Sequence, residues 1–347
     1  MNDTRPFAVV TGGSSGIGLE LARQFADNGY DVLLSAEDAA ELQQARAQIT
    51  GGGATVTTHA SDLATEEGVD SLIAAIGGRA VDAVAINAGV GLGGRFVETD
   101  LQRELRMIDL NVRGAVQLAK PIVKAMVARG QGRVLITSSV AGSMPDPFEA
   151  VYGSTKVFLR WFGQGLREEL KDTGVTVTIL QPSTTETDFF RRADMMDTKA
   201  GTMKKDDPAV VAKAGFDALM AGKDHVIPTA KNKVMGFIAD NLPDPWAAKL
   251  HRGLSEPGSA DKKSNAAPLA VGAAALGVGA ALFAYWRNGK NEAEPLAQGS
   301  AHPAEVGQPA SGTTTASLPA DGVAGAQPGA TPLPADVPTA AEIRVGA

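Results

Sequence analysis

A doubly wound parallel α/β sheet is the fold class the sequence predicts. Short Val/Ile/Leu runs alternate with longer segments of helical periodicity, Gly, Asp and Pro punctuate the junctions, and polar turn formers follow several runs at their carboxyl ends. Seven such runs lie between Arg5 and Leu254. That number suits one sheet covered by helices on both faces.

Taken in order, a strand over Phe7–Thr11 leads through a glycine-rich turn into a helix over Ile17–Asn28. Strands over Asp31–Ser35 and Thr55–Thr58 are followed by helices over Ala39–Ile49 and Glu66–Ile76. The fourth strand, Asp82–Asn87, precedes a long helical stretch over Leu101–Ala128, in which Pro121 predicts a kink or break because proline lacks a donor and crowds the previous turn. Gly132–Ser138 is the fifth strand and Val151–Lys171 its helix, which ends before Gly174, a residue able to take the left-handed conformation of a helix end. Val175–Gln181, a helix over Pro208–Ala221 and a last strand over His225–Pro228 complete the pattern.

With 347 residues and 44% hydrophobic content, the chain can bury a sizeable core. It has no cysteine, which excludes a disulfide framework, a thiolate nucleophile and a zinc-thiolate centre. No other metal-ligand motif stands out. The net charge of −7 carries no basic stripe, so nucleic acid is not an expected partner. The N-terminus MNDTRPFAVV lacks the basic-then-apolar build of a secretory signal, and the N-terminal domain is expected in the cytoplasm.

Thr11-Gly12-Gly13-Ser14-Ser15-Gly16-Ile17-Gly18 joins the first strand to the first helix. Glycines at 12, 16 and 18 allow a tight turn and close approach to a pyrophosphate, and the helix N-terminus offers free N–H groups with Ser14, Ser15 and Ile17 around them. Asp62-Leu63 and Asn87-Ala88-Gly89 follow the third and fourth strands, on the same predicted sheet edge. In a doubly wound sheet that edge holds the ligand.

Tyr152 and Lys156 are four apart on a predicted helix, so the lysine ammonium can favour the ionised phenol and bring it towards a working pKa. Thirteen residues before Tyr152, Ser139 follows the fifth strand and can hydrogen-bond a substrate oxygen; Ser138 is the competing choice.

Together, TGGSSGIG, NAG at 87–89, Ser139 and YGSTK at 152–156 resemble the short-chain dehydrogenase/reductase superfamily, in its TGxxxGxG/YxxxK subgroup, over residues 5 to about 254. The resemblance implies a Rossmann-type fold and an NAD(P)-dependent oxidoreductase interconverting a carbonyl and a secondary alcohol. It implies Tyr152 as general acid or base, Ser139 as the group orienting the substrate oxygen, and Lys156 as the residue lowering the tyrosine pKa and binding the nicotinamide ribose. Asn111 matches the family's asparagine that supports a proton-relaying water. Pro182-Ser183-Thr184-Thr185-Glu186-Thr187 resembles the PGxxxT element with Ser183 in place of glycine, and Thr187 would touch the carboxamide. Dimers or tetramers through the fourth and fifth helices are implied in the same way. A non-catalytic dinucleotide sensor or a membrane-tethered scaffold on the same fold is the alternative; the intact Ser139, Tyr152 and Lys156 set argues against the sensor.

Ala36 and Glu37 stand where the family often carries a ribose-binding Asp and an NADP-selecting Arg. A carboxylate at Glu37 would repel a 2′-phosphate and could accept hydrogen bonds from a free 2′-hydroxyl. The expectation is therefore NAD, with NADP the alternative. The substrate loops hold Val90, Leu92, Phe96, Met144, Phe148, Phe189, Phe190, Met195 and Met196, which predicts an apolar pocket for a small carbonyl or alcohol.

Beyond Leu254 the composition changes. Residues 255–265 read as a polar linker, and residues 287–347, rich in Ala, Pro and Gly, as a disordered tail. Ala266–Trp286 is an uncharged run of 21 residues, long enough for a transmembrane helix, although nine are Ala and three are Gly.

Overall fold

The computed structural model describes residues 5–229, 232 and 242–261. The strands are β1 (Phe7–Thr11), β2 (Asp31–Ala36), β3 (Val56–Ala60), β4 (Ala83–Ile86), β5 (Gly132–Thr137), β6 (Val175–Leu180) and β7 (His225–Val226). They form one sheet in the order β3-β2-β1-β4-β5-β6-β7, parallel throughout. The chain leaves β1 in one direction and returns at β4 to continue in the other. The crevice between these two strands is where a parallel sheet opens to a ligand.

The helices are α1 (Gly16–Asp27), α2 (Ala39–Ala47), α3 (Glu66–Ile76), α4 (Leu101–Ile108), α5 (Ala115–Arg129), α6 (Ala150–Glu169), α7 (Phe189–Arg192), α8 (Lys199–Thr202), α9 (Pro208–Met220) and α10 (Asp244–Ser255). Because side chains alternate across a strand, Phe7 and Val9 of β1 join one core with Leu72, Leu118, Met126 and Leu159, while Ala8 and Val10 join a second with Leu21, Phe25, Leu42 and Phe216. Helices α3, α5 and α6 cover the first face and α1, α2 and α9 the second.

The stretch expected as one helix over Leu101–Ala128 is interrupted, but not at Pro121. A π-helical segment, Asp109–Gly114, separates α4 from α5, and Pro121 lies inside α5. Pro121 is exposed, so water can serve the carbonyl that its missing N–H leaves free. The wider turn instead accompanies Asn111, which is fully buried and whose amide bonds both the N–H and the carbonyl of Val90 and the Thr155 hydroxyl. Such insertions re-aim a side chain within an otherwise regular helix.

The periodicity did not disclose α10, and residues 255–260, expected as linker, are tied to the body. Ser255 Oγ donates to Glu149 Oε2 at 3.0 Å, Gly258 N to Asp197 Oδ2 at 2.7 Å, and Ala260 N to Asp197 O at 2.9 Å. Among the described residues no helix is long and apolar enough to cross a membrane. The candidate span Ala266–Trp286 and the tail at 287–347 lie outside the described residues.

Candidate active site

The carboxyl ends of β1, β4, β5 and β6 open into a cleft of about 950 Å³. Gly12, Ser14, Ser15, Gly16, Ile17 and Gly18 line one end of it. Glu37, Asp62, Leu63, Asn87, Ala88 and Gly89 line the adjoining wall. Ser139, Tyr152, Lys156, Pro182 and Thr187 line it as well. Asn111 lies behind the wall, and its side chain braces Val90 rather than facing the cleft.

At the glycine loop, Gly16 has φ +55°, and a Cβ there would stand 2.7 Å from Thr187 Cγ2. Only glycine suits both the conformation and the gap. Ser15, which precedes α1, makes no side-chain capping bond, whereas Asp38, Thr65, Asp100 and Asp207 cap α2, α3, α4 and α9. The first N–H groups of α1 are therefore left without a cap from Ser15, and an anion could accept from them.

The turn formers of the sheet edge are used internally. Thr11 Oγ1 accepts from Asn87 N and Ala88 N, both at 3.0 Å. Asn87 Nδ2 donates to Thr11 O, and Asn87 Oδ1 accepts from Thr137 Oγ1. Asn87 thus laces β1, β4 and β5 together. A Cβ on Gly89 would lie 3.2 Å from Lys156 Nζ and 3.1 Å from Asn111 Oδ1, so glycine permits that close passage.

Lys156 is buried, and its Nζ donates to Thr137 O at 3.1 Å. Burial pushes its pKa down to about 8. The ammonium lies 5.7 Å from the Tyr152 ring centre. Burial pushes the Tyr152 phenol up from its ordinary value, the Glu149 charge adds to this, a Ser139 hydrogen bond opposes it, and Asp146 raises it further.

Of the two candidate serines, Ser138 donates its hydroxyl to Lys156 O at 2.7 Å. Ser139 Oγ accepts from Ala141 N at 3.1 Å, has only a 3.5 Å approach to Pro182 O, and lines the cleft. Phe189 packs its ring 5.1 Å from that of Tyr152. Of the apolar candidates, Val90, Met144, Phe189 and Phe190 line the cleft. Leu92 is buried with Met107 and Tyr152, Met195 with Phe190 and Ala200, and Phe96 and Met196 are exposed.

Sequence reading missed Arg106, which donates to Asp62 Oδ2 at 2.9 Å and to Glu37 Oε1 at 3.1 Å. It also missed Glu41, which accepts from Ser14 Oγ at 3.1 Å and from Arg192. Neither has a local signal, since each meets its partner through the fold.

The family model for short chain dehydrogenases matches residues 6–197. The chain belongs to the short-chain dehydrogenase/reductase family. A 3-dehydrosphinganine reductase of Arabidopsis thaliana is 30% identical over 226 residues, 62% of this chain and 67% of that protein. An NADP-dependent 3-hydroxy acid dehydrogenase of Salmonella typhimurium is 31% identical over 50% of this chain and 70% of its own. Among solved structures, a short-chain dehydrogenase from Sphingobium yanoikuyae in complex with NADPH superposes with a TM-score of 0.61 at 26% identity, covering 69% of this chain and 96% of that one. As a short-chain dehydrogenase/reductase, the protein is an NAD(P)-dependent oxidoreductase acting on carbonyl and alcohol groups.

Proposed function

We propose that Tyr152, Ser139 and Lys156 carry the proton side of a carbonyl reduction and its reverse. The observation that supports this most directly is the buried phenol beside the Ser139 hydroxyl at the cleft wall. The nicotinamide dinucleotide supplies the hydride when bound. The N–H groups at the start of α1 and the glycine loop would hold its pyrophosphate, and Thr187, beside Gly16, its carboxamide end. Ser139 hydrogen-bonds the substrate oxygen and polarises it, and Tyr152 gives its proton to that oxygen. Lys156 holds the ribose and its ammonium steadies the phenolate left behind. Asn111 acts by holding Val90 in place.

The dinucleotide we propose is NADH. Glu37 and Asp62 share one guanidinium, that of Arg106, and Glu41 shares that of Arg192. With Asp38 also on this wall, acids outnumber bases where a 2′-phosphate would sit. Exposed Leu101, Leu105, Phe158 and Trp161 on α4 and α6 support a homo-oligomer through these helices; light scattering from a monomer would overturn that. Attachment to a membrane by residues 266–286, with the catalytic domain in the cytoplasm, rests on composition alone, and release of the full chain by salt or carbonate would remove it.

The test is a fluorescence titration with NADH and NADPH, followed by turnover of a panel of ketones. Tyr152→Phe should keep NADH binding and lose roughly 10²–10⁴-fold in turnover. A variant as active as the wild type would remove Tyr152 from the chemistry.

A further inference from the structure

Beside the catalytic tyrosine is a buried cluster that the oxidoreductase reading does not use. Asp146 and Glu149 precede α6, and His251 comes from the third turn of α10. One ligand atom from each lies within 4.8 Å of the other two. The Asp146 side chain is 1% exposed and that of His251 14%.

The polar atoms of this cluster are poorly satisfied. Both carboxylate oxygens of Asp146 and Nδ1 of His251 are buried without a hydrogen-bond partner, although Oδ1 and Nδ1 approach to 3.0 Å. Glu149 has the Ser255 hydroxyl on Oε2. The neighbouring Arg252 pairs with Glu256 at 3.2 Å. An unpaired buried carboxylate is costly, and a bound cation removes that cost.

We propose that Asp146, Glu149 and His251 bind one divalent metal ion of the zinc or manganese kind. Two carboxylate oxygens and one imidazole nitrogen are the donor set that such ions accept, whereas a calcium or magnesium site would be built from oxygen alone. Around zinc, with bonds of about 2.0–2.2 Å, neighbouring ligand atoms stand roughly 3.3–3.5 Å apart, so the cluster contracts by about an ångström at its widest to close on the ion. Gly153 lets the acidic loop lie close enough: a Cβ there would stand 2.5 Å from Asp146 Cβ. Glu149 and His251 also line the cleft, so the remaining coordination position faces it. The ion ties α10 to the start of α6 and so fixes the cleft wall beside Tyr152. This inference does not depend on which substrate or dinucleotide the enzyme takes.

Full-length protein, stripped with EDTA and dialysed, is titrated with Mn²⁺ and separately with Zn²⁺ by calorimetry. Binding of about one equivalent is expected, with a rise in Tm because the ion binds the folded state alone. Asp146→Asn and His251→Gln should each weaken binding by more than the roughly 10–100-fold that loss of an outer partner costs. Spin-echo modulation from an imidazole nitrogen should appear in the Mn²⁺-loaded wild type; this reading needs no variant and stands even if a substitution disturbs folding. Absence of saturable binding of both ions, binding unchanged in both variants, or a manganese signal without nitrogen coupling would each overturn the site.

Discussion

Lys156 has its ammonium buried against a single carbonyl, that of Thr137. Its pKa is about 8 in the folded protein, against about 10.4 when unfolded. Between these values the unfolded chain binds more protons, so this residue makes stability rise with pH across that window, and below about 8, where both states are protonated, its contribution is constant. Denaturant unfolding of wild type against Lys156→Met should show the difference changing by up to about 3 kcal/mol from pH 8 to 10.4, in that direction; a flat difference would mean that the charge is solvated. Glu37 makes a second residue-scale prediction. Its carboxylate occupies one arm of Arg106, and Glu37→Ala both removes a negative charge and releases that guanidinium. The Kd ratio should move towards NADPH by about tenfold or more, since 1.4 kcal/mol of altered charge interaction is enough. An unchanged ratio would place Glu37 away from the ribose.

At the scale of elements, the π-helical segment between α4 and α5 depends on one side chain. Asn111, itself fully buried, bonds two backbone groups of half-buried Val90 and the buried Thr155 hydroxyl. Asn111→Ala leaves those groups without partners, at about 1–3 kcal/mol each where no water enters. A loss of roughly 3 kcal/mol in unfolding free energy is expected, and a denaturant midpoint close to wild type would show that the turn holds by other means. The segment also shows how far periodicity carries. The apolar spacing across Leu101–Ala128 is legible as helix on both sides, and proline is the visible irregularity. The actual interruption answers to Val90 and Thr155, which local sequence does not bring near.

For the whole molecule, the boundary at Leu254 separates residues that the fold keeps together. Ser255 bonds Glu149 in the cleft wall, Ser259 Oγ accepts from Lys199 N at 3.0 Å, and Ala260 bonds Asp197. Removal of residues 262–347 should preserve the melting temperature and turnover of the catalytic body. Removal of 255–347 should lower Tm, because it strips the last residue of α10 and the bonds that tie this segment to Glu149, Asp197 and Lys199. Equal melting of the two truncations would show that these contacts contribute nothing.

The seven strands, the glycine turn and the Tyr152–Lys156 pair were legible in the sequence because each depends on neighbours within a few residues: alternation along a strand, a left-handed glycine, a four-residue helical spacing. The family follows from those motifs in their order. Tertiary structure alone decided what each motif faces. It turned Asn87 and Ser138 to internal bonds, left Ser139 at the cleft, set Arg106 between Glu37 and Asp62, and brought His251 to Asp146 across about a hundred residues. The upward push on the phenol's pKa was decided there too, because desolvation and long-range charge depend on everything packed around a group and not on its place in the chain.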